Sequence, residues 1–175
     1  DQTITPSPNS TVSGNIQTVS AGALTVSPSS SLTTSNVVNG KTGATLGRLT
    51  LDATASGEDV RISTVQLRGV TGVNADLDEL NSITLYDGAT ALNTGSNVYN
   101  PSGNAGAADA TLSLTLDGNG FTIAKGTTKT IDIKANVNAS TTPTAGTTYR
   151  FHVDSLDWGV AGVVTGQTIG ETLAG

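Results

Sequence analysis

The chain has 175 residues, enough for one β-domain core, of which 35% are hydrophobic, 13% charged and 3% aromatic. It has no Cys and a single His, His152, which excludes disulfide scaffolds, thiol nucleophiles, cysteine-based zinc sites and multi-histidine metal centres. A net charge of -6, with no run of Lys or Arg, argues against neutralising a phosphate backbone, so no nucleic-acid partner is expected.

Thr and Ser together supply 47 residues and Gly another 21, leaving little long-chain polar material for exposed helix surfaces. The expected class is therefore all-β. The sequence opens on Asp1 and contains no Met, which leads us to expect a mature, exported product located outside the cell or at its surface. No apolar run approaches the roughly 18 to 20 residues that span a bilayer, so no membrane span is expected.

Residues 1–16, DQTITPSPNSTVSGNI, have the composition of an extended arm. Every second residue nevertheless falls on one side, Ile4, Pro6, Pro8, Val12, Gly14 and Ile16, which is the period of a strand with one apolar face. Residues 17–175 are expected to form the β-sandwich domain. Its first strand is read over Thr18 to Val26, ended by Ser27-Pro28. In TLGRLTLDATA, Leu49, Leu51 and Ala53 point one way and Arg48, Thr50 and Asp52 the other, as in a half-buried strand. In EDVRISTVQLRG, Val60 and Ile62 point inward, and so do Val65 and Leu67. The inward parity flips between Ser63 and Thr64, and a β-bulge there restores the face.

NADLDEL, residues 74 to 80, is the one helical piece expected, a single turn with Asn74 as cap. NSITLYDGATAL reads as two strands about Asp87-Gly88. Residues 93 to 109 read as a long surface loop and the flexible part of the domain. Strands resume at Leu112, Leu114 and Leu116, turn at DGNG (117–120), and continue through Phe121 and Ile123 to the alternating set Ile131, Ile133, Ala135 and Val137. TTYRFHVDSLDW then places Tyr149, Phe151 and Val153 inward. A last strand is read near Val163 to Ile169. At least seven strands in two sheets are expected, with Leu51, Val60, Ile62, Leu67, Leu85, Leu114, Ile131, Ile133, Phe151 and Val153 buried.

GEDVRIST, ITLYDGATAL and FTIAKGTTKTIDIKANV, in that order, resemble immunoglobulin-like modules of exported prokaryotic surface proteins, including those of candidate-phyla bacteria. The resemblance covers roughly residues 17 to 156 and rests on short, degenerate motifs. It implies an immunoglobulin-like β-sandwich that serves as spacer, adhesive domain or assembly unit. The arm-plus-sandwich layout also resembles donor-strand filament subunits, without a diagnostic motif.

Several residues could carry chemistry. Asp76, Asp78 and Glu79 form the densest acidic group and are calcium candidates by ligand type, although their spacing is not that of an EF-hand and a solvated helix start explains them as well. DGNG at 117–120 and Glu58-Asp59-Val60 are calcium candidates that turn chemistry also accounts for. His152 with Asp154 could form a base and its orienter, but no nucleophile is identifiable, and no catalytic motif occurs. The chain is not expected to be an enzyme or to need a cofactor. Trp158, Tyr86 and Tyr99 could stack on sugar rings. Asn9 and Asn138 head glycosylation sequons. Lys41, Lys125, Lys129 and Lys134 are the candidates for isopeptide cross-links, which require burial.

The expected function is a structural subunit of an extracellular filament or surface layer. Its partner is another copy of itself, reached by strand addition of the arm through Ile4, Val12 and Ile16. The alternative is a surface adhesin or carbohydrate-binding module that meets cell-surface glycans.

Overall fold

The computed structural model describes residues 15–16, 20–32, 36–72, 75–101, 109–138, 147–153 and 157–174. Period-two alternation is converted into strands almost wherever it occurs, giving β1 (Leu24–Pro28), β2 (Ala44–Asp52), β3 (Val60–Thr71), β4 (Leu80–Asp87), β5 (Thr90–Ala91), β6 (Asp109–Thr115), β7 (Phe121–Ile123), β8 (Thr128–Val137), β9 (Tyr149–His152), β10 (Gly159–Gly162) and β11 (Glu171–Leu173). A single 3-10 turn, Leu77–Glu79, precedes β4. Asp76 is its N-cap residue and makes no side-chain capping bond, while Asn74, expected as the cap, lies outside the described residues.

The strands form a two-sheet all-β sandwich. Sheet A runs β11-β1-β2-β8-β4-β5, antiparallel except for the β1/β11 pair. Sheet B centres on the twelve-residue β3. Along one edge β6 and then β7 pair with it, and along the other β9 and then β10, so each flank is one strand broken in two. The inward faces of both sheets meet in one core that includes Leu51, Val60, Ile62, Leu67, Leu85, Leu114, Ile131 and Ile133, each at most 1% exposed.

The parity flip in β3 is realised as expected. Gly159 of β10 stands opposite Thr64 and Val160 opposite Ile62, so Ser63 is the extra residue, and it is exposed while its neighbours keep the core face. The excursion Asp117–Gly120 between β6 and β7 lies at the same level. Gly120 there has φ +85, and a Cβ on it would run into the Ile62 carbonyl oxygen.

Four expectations change. The first strand begins at Leu24 and includes Ser27-Pro28 instead of ending before them, because β2 continues the antiparallel ladder as far as Pro28 opposite Leu49. Phe151 and Val153 are half-buried, not core residues, because β9 is an edge strand that pairs only with β3. The C-terminal strand is displaced. Val163 and Val164 are 43% and 83% exposed in a turn, and the strands flanking it are β10 and β11. Residues 93–101 are not a loose loop: Asn93 is fully buried, Gly95–Asn97 form a 3-10 turn and Tyr99 bridges to Ile83.

Candidate functional site

For a chain whose expected work is assembly, the relevant geometry is which sheet edges are closed and which are open. The outer edge of β4 is closed by side chain as well as backbone. Past the two-residue β5, Asn93 turns inward, its Oδ1 accepting from the Leu85 N-H at 2.7 Å and its Nδ2 donating to the carbonyls of Ile83 (3.2 Å) and Asn97 (3.0 Å). Asp117 fastens the same segment, accepting from Thr94 Oγ1 at 2.6 Å and Asn97 Nδ2 at 2.8 Å. These bonds hold its carboxyl below the usual aspartate range. The outer edge of β10 is closed by residues 167–169, with the Ile169 N-H donating to Val160 and the Gly162 N-H to Gln167. Glu58 staples the turn before them. Its carboxylate accepts from Thr165 Oγ1 (2.6 Å) and from the N-H groups of Thr165 (3.0 Å) and Val164 (2.9 Å), which lowers its pKa.

Among the described residues the outer edges of β5, β6, β7, β9 and β11 have no strand partner, nor does the β1 side of β2 between residues 44 and 47. The β6 edge carries a charged end. Asp109 takes a bidentate ion pair from Arg68, with Nε to Oδ1 at 2.8 Å and Nη2 to Oδ2, and its carboxyl is held low by Arg68 and, to a smaller extent, by His152.

The residues singled out by sequence are distributed as follows. Ile4, Val12 and Asn9 lie outside the described residues, and Ile16 is 93% exposed. Asp76, Asp78 and Glu79 do not converge. Glu79 is buried and accepts from the Tyr149 hydroxyl, so the solvated helix start expected for it is replaced by a packed carboxylate. Burial and that carboxylate push the Tyr149 phenol above its ordinary pKa. Among the described residues no group of three or more His, Asp or Glu side chains is arranged to hold a metal ion. Asn138 is half-buried and its N-H donates to the Glu79 carbonyl at 2.7 Å, while the rest of its sequon lies outside the described residues. His152 stands opposite Arg68 in the β9/β3 ladder, and Asp154 lies outside the described residues.

Trp158 corrects the idea of an aromatic platform: it is 5% exposed in the core, with Nε1 donating to the Gln66 carbonyl at 2.9 Å. Tyr99 packs against the core, and Lys134 Nζ sits 4.3 Å from the centre of the Tyr86 ring. Lys129 pairs with Asp87 at 3.0 Å. None of the four lysines considered for cross-linking is buried.

Sequence reasoning missed Asn93, and it considered Glu58 as a calcium candidate and not as the acceptor that fastens Val164 and Thr165. The signal for Asn93 was faint: one Asn in a run of small polar residues, with no periodicity to mark it as inward. No family model matches the chain, and a comparison with curated proteins finds no match. No helix among the described residues is long and apolar enough to cross a membrane.

Proposed function

We infer that this chain is a structural subunit of an extracellular filament or surface layer, assembled when residues 1–16 of one copy add as a strand to an open sheet edge of the next. The carrying observation is Ile16. It belongs to the apolar side of residues 1–16, yet it is 93% exposed, and among the described residues whole edge stretches of the sheets have no strand partner. Backbone N-H and C=O groups on such an edge are satisfied by an added strand, and apolar side chains on that strand gain burial. Burial of Trp158 weighs against the carbohydrate-binding alternative.

Light scattering and negative-stain electron microscopy of the whole chain test this reading. Concentration-dependent polymers are expected, and a chain lacking residues 1–16 should stay a folded monomer. Polymers that survive the deletion, or a whole chain that stays monomeric at high concentration, would overturn it.

A further inference from the structure

We propose that the outer face of sheet B is a binding site for an acidic polysaccharide of the polyuronate class, with Arg150 and His152 of β9 holding its carboxylates. The inference goes beyond the assembly reading and does not depend on it. It starts from an uneven distribution of charge. Three of the chain's four arginines, Arg61, Arg68 and Arg150, and its one histidine stand on the strands of sheet B, where Asp109 is the one acidic residue. The sheet is thus net positive in a chain whose net charge is -6.

Strand parity turns these side chains outward. Arg61 lies between the buried Val60 and Ile62, Arg68 follows the buried Leu67, and Arg150 and His152 flank Phe151, which packs against the core. The ladders then fix how three of them lie. Arg68 is opposite His152 on one side and Thr111 on the other, and one row further Val70 is opposite Arg150 and Asp109. Opposed residues have Cβ atoms about 5 Å apart, and residues two apart on one strand are separated by about 7 Å. Arg68, Arg150 and His152 therefore share one small surface, and all three are exposed.

Arg68 turns toward β6 into its bidentate pair with Asp109. Among the described residues that leaves Arg150 and His152 with no ion pair and no side-chain hydrogen bond. Cations on sheet A are answered: Arg48 by Asp132, Lys129 by Asp87 and Lys134 by the Tyr86 ring. Like charges set next to each other on a sheet destabilise it, and a bound anion offsets that cost.

The rest of the face selects the kind of anion. Across β3 from β9 it presents the exposed hydroxyls of Thr111, Ser113 and Thr115, and none of the exposed large apolar side chains stands on a strand of sheet B. A protein partner is met by an interface with an apolar and aromatic centre. A bilayer surface calls for a cluster of about four to eight Lys or Arg, and a nucleic acid for several phosphates neutralised together. A polyuronate matches what is here. Its carboxylate fits the Arg150 guanidinium through two parallel N-H···O bonds with a His152 N-H alongside, and its hydroxyls meet those of β6, about 10 Å away across β3. Recognition by charge and hydrogen bonds needs no ring stacking, so burial of Trp158 does not bear on it.

Affinity electrophoresis of the full chain through gels containing polygalacturonate, polyglutamate or neutral dextran tests the proposal. Polygalacturonate should retard the chain at low salt and release it as salt rises, and dextran should not retard it. Arg150→Gln and Arg150→Glu should each weaken binding about tenfold or more, the loss of a charge-assisted contact. Lys125→Glu makes the same charge change as Arg150→Glu in an exposed turn beside the other end of β3, and should alter binding less than about twofold. Circular dichroism checks that each variant is folded. Equal losses in Arg150→Glu and Lys125→Glu would show that binding follows overall charge, and would overturn the site. No retardation by polygalacturonate, or equal retardation by dextran, would overturn the acidic polysaccharide as ligand. Tighter binding to polyglutamate would assign the face to an acidic protein segment and overturn it too. None of these results touches strand addition, which rests on deletion of residues 1–16.

Discussion

At the scale of single residues, the polar side chains that matter most are the ones that replace backbone partners. Asn93 satisfies two carbonyls and one N-H at the β4 edge while itself fully buried. Replacing it with Ala removes the partner of the Leu85 N-H and of the Asn97 carbonyl, while the Ile83 carbonyl keeps the Tyr99 N-H; at roughly 1–3 kcal/mol for each group left unpaired, Asn93→Ala should destabilise the domain by about 2 to 4 kcal/mol in urea unfolding. A loss under about 1 kcal/mol would mean that water replaces the amide. The carboxylates give a signed pH dependence. Asp117 is held below its ordinary 3.8 by Thr94 and Asn97, and Asp52, Asp109 and Glu58 are shifted the same way. The fold thus favours their charged forms. That stability is present above the ordinary carboxylate values and is lost as the pH falls through the lower folded ones. The urea midpoint should therefore drop on acidification below about pH 4, and Asp117→Asn should flatten part of that drop. Tyr149 is shifted upward from 10.0, so its contribution is complete below that pH and disappears as the pH rises through the higher folded value. Tyrosinate absorbance should show one late-titrating phenol that Tyr149→Phe removes.

At the scale of elements, what was legible followed the clarity of the alternation. β6 and β8 carry unbroken period-two patterns, β2 does so from Leu49 to Asp52, and even the bulge at Ser63 in β3 was readable, because a parity flip between two runs of core residues admits few other remedies. The failures share a different cause. β1 continues through Pro28 because β2 is there to receive it, and residues 93–101 are ordered because Asn93 and Asp117 hold them. β9 lies at an edge because β3 is long enough to take two short partners on one side. Each depends on a distant partner that local pattern does not name. The open edges that form the candidate assembly surface were illegible for the same reason, since an edge is defined by what fails to pair with it. Loop 117–120 offers a test within one element. Gly118 and Gly120 both have positive φ, but only Gly120 is pressed against backbone, the Ile62 carbonyl beside the Ser63 bulge. Gly118→Ala should cost about 1 to 2 kcal/mol, the usual penalty for a Cβ at positive φ. Gly120→Ala adds a clash that the bulge must absorb and should cost more than about 3 kcal/mol. Equal costs in parallel urea titrations would show that the bulge yields freely.

At the scale of the whole molecule, strand addition through residues 1–16 makes every copy both donor and acceptor, and the two roles can be removed separately. A copy without residues 1–16 keeps any acceptor edge, so it can receive a strand and offers none in return. It should terminate growth at one end. Mixed into full-length protein at a small molar fraction, it should shorten polymers in inverse proportion to that fraction. Its effect should also saturate slowly in time, since release of an added strand breaks a run of backbone hydrogen bonds together, each contributing about 0.5 to 1.5 kcal/mol net. The truncated copy should not polymerise alone. Length distributions from electron microscopy decide the matter. If truncated copies leave polymer length unchanged at equimolar ratio, growth does not run through residues 1–16, and the head-to-tail scheme fails with it.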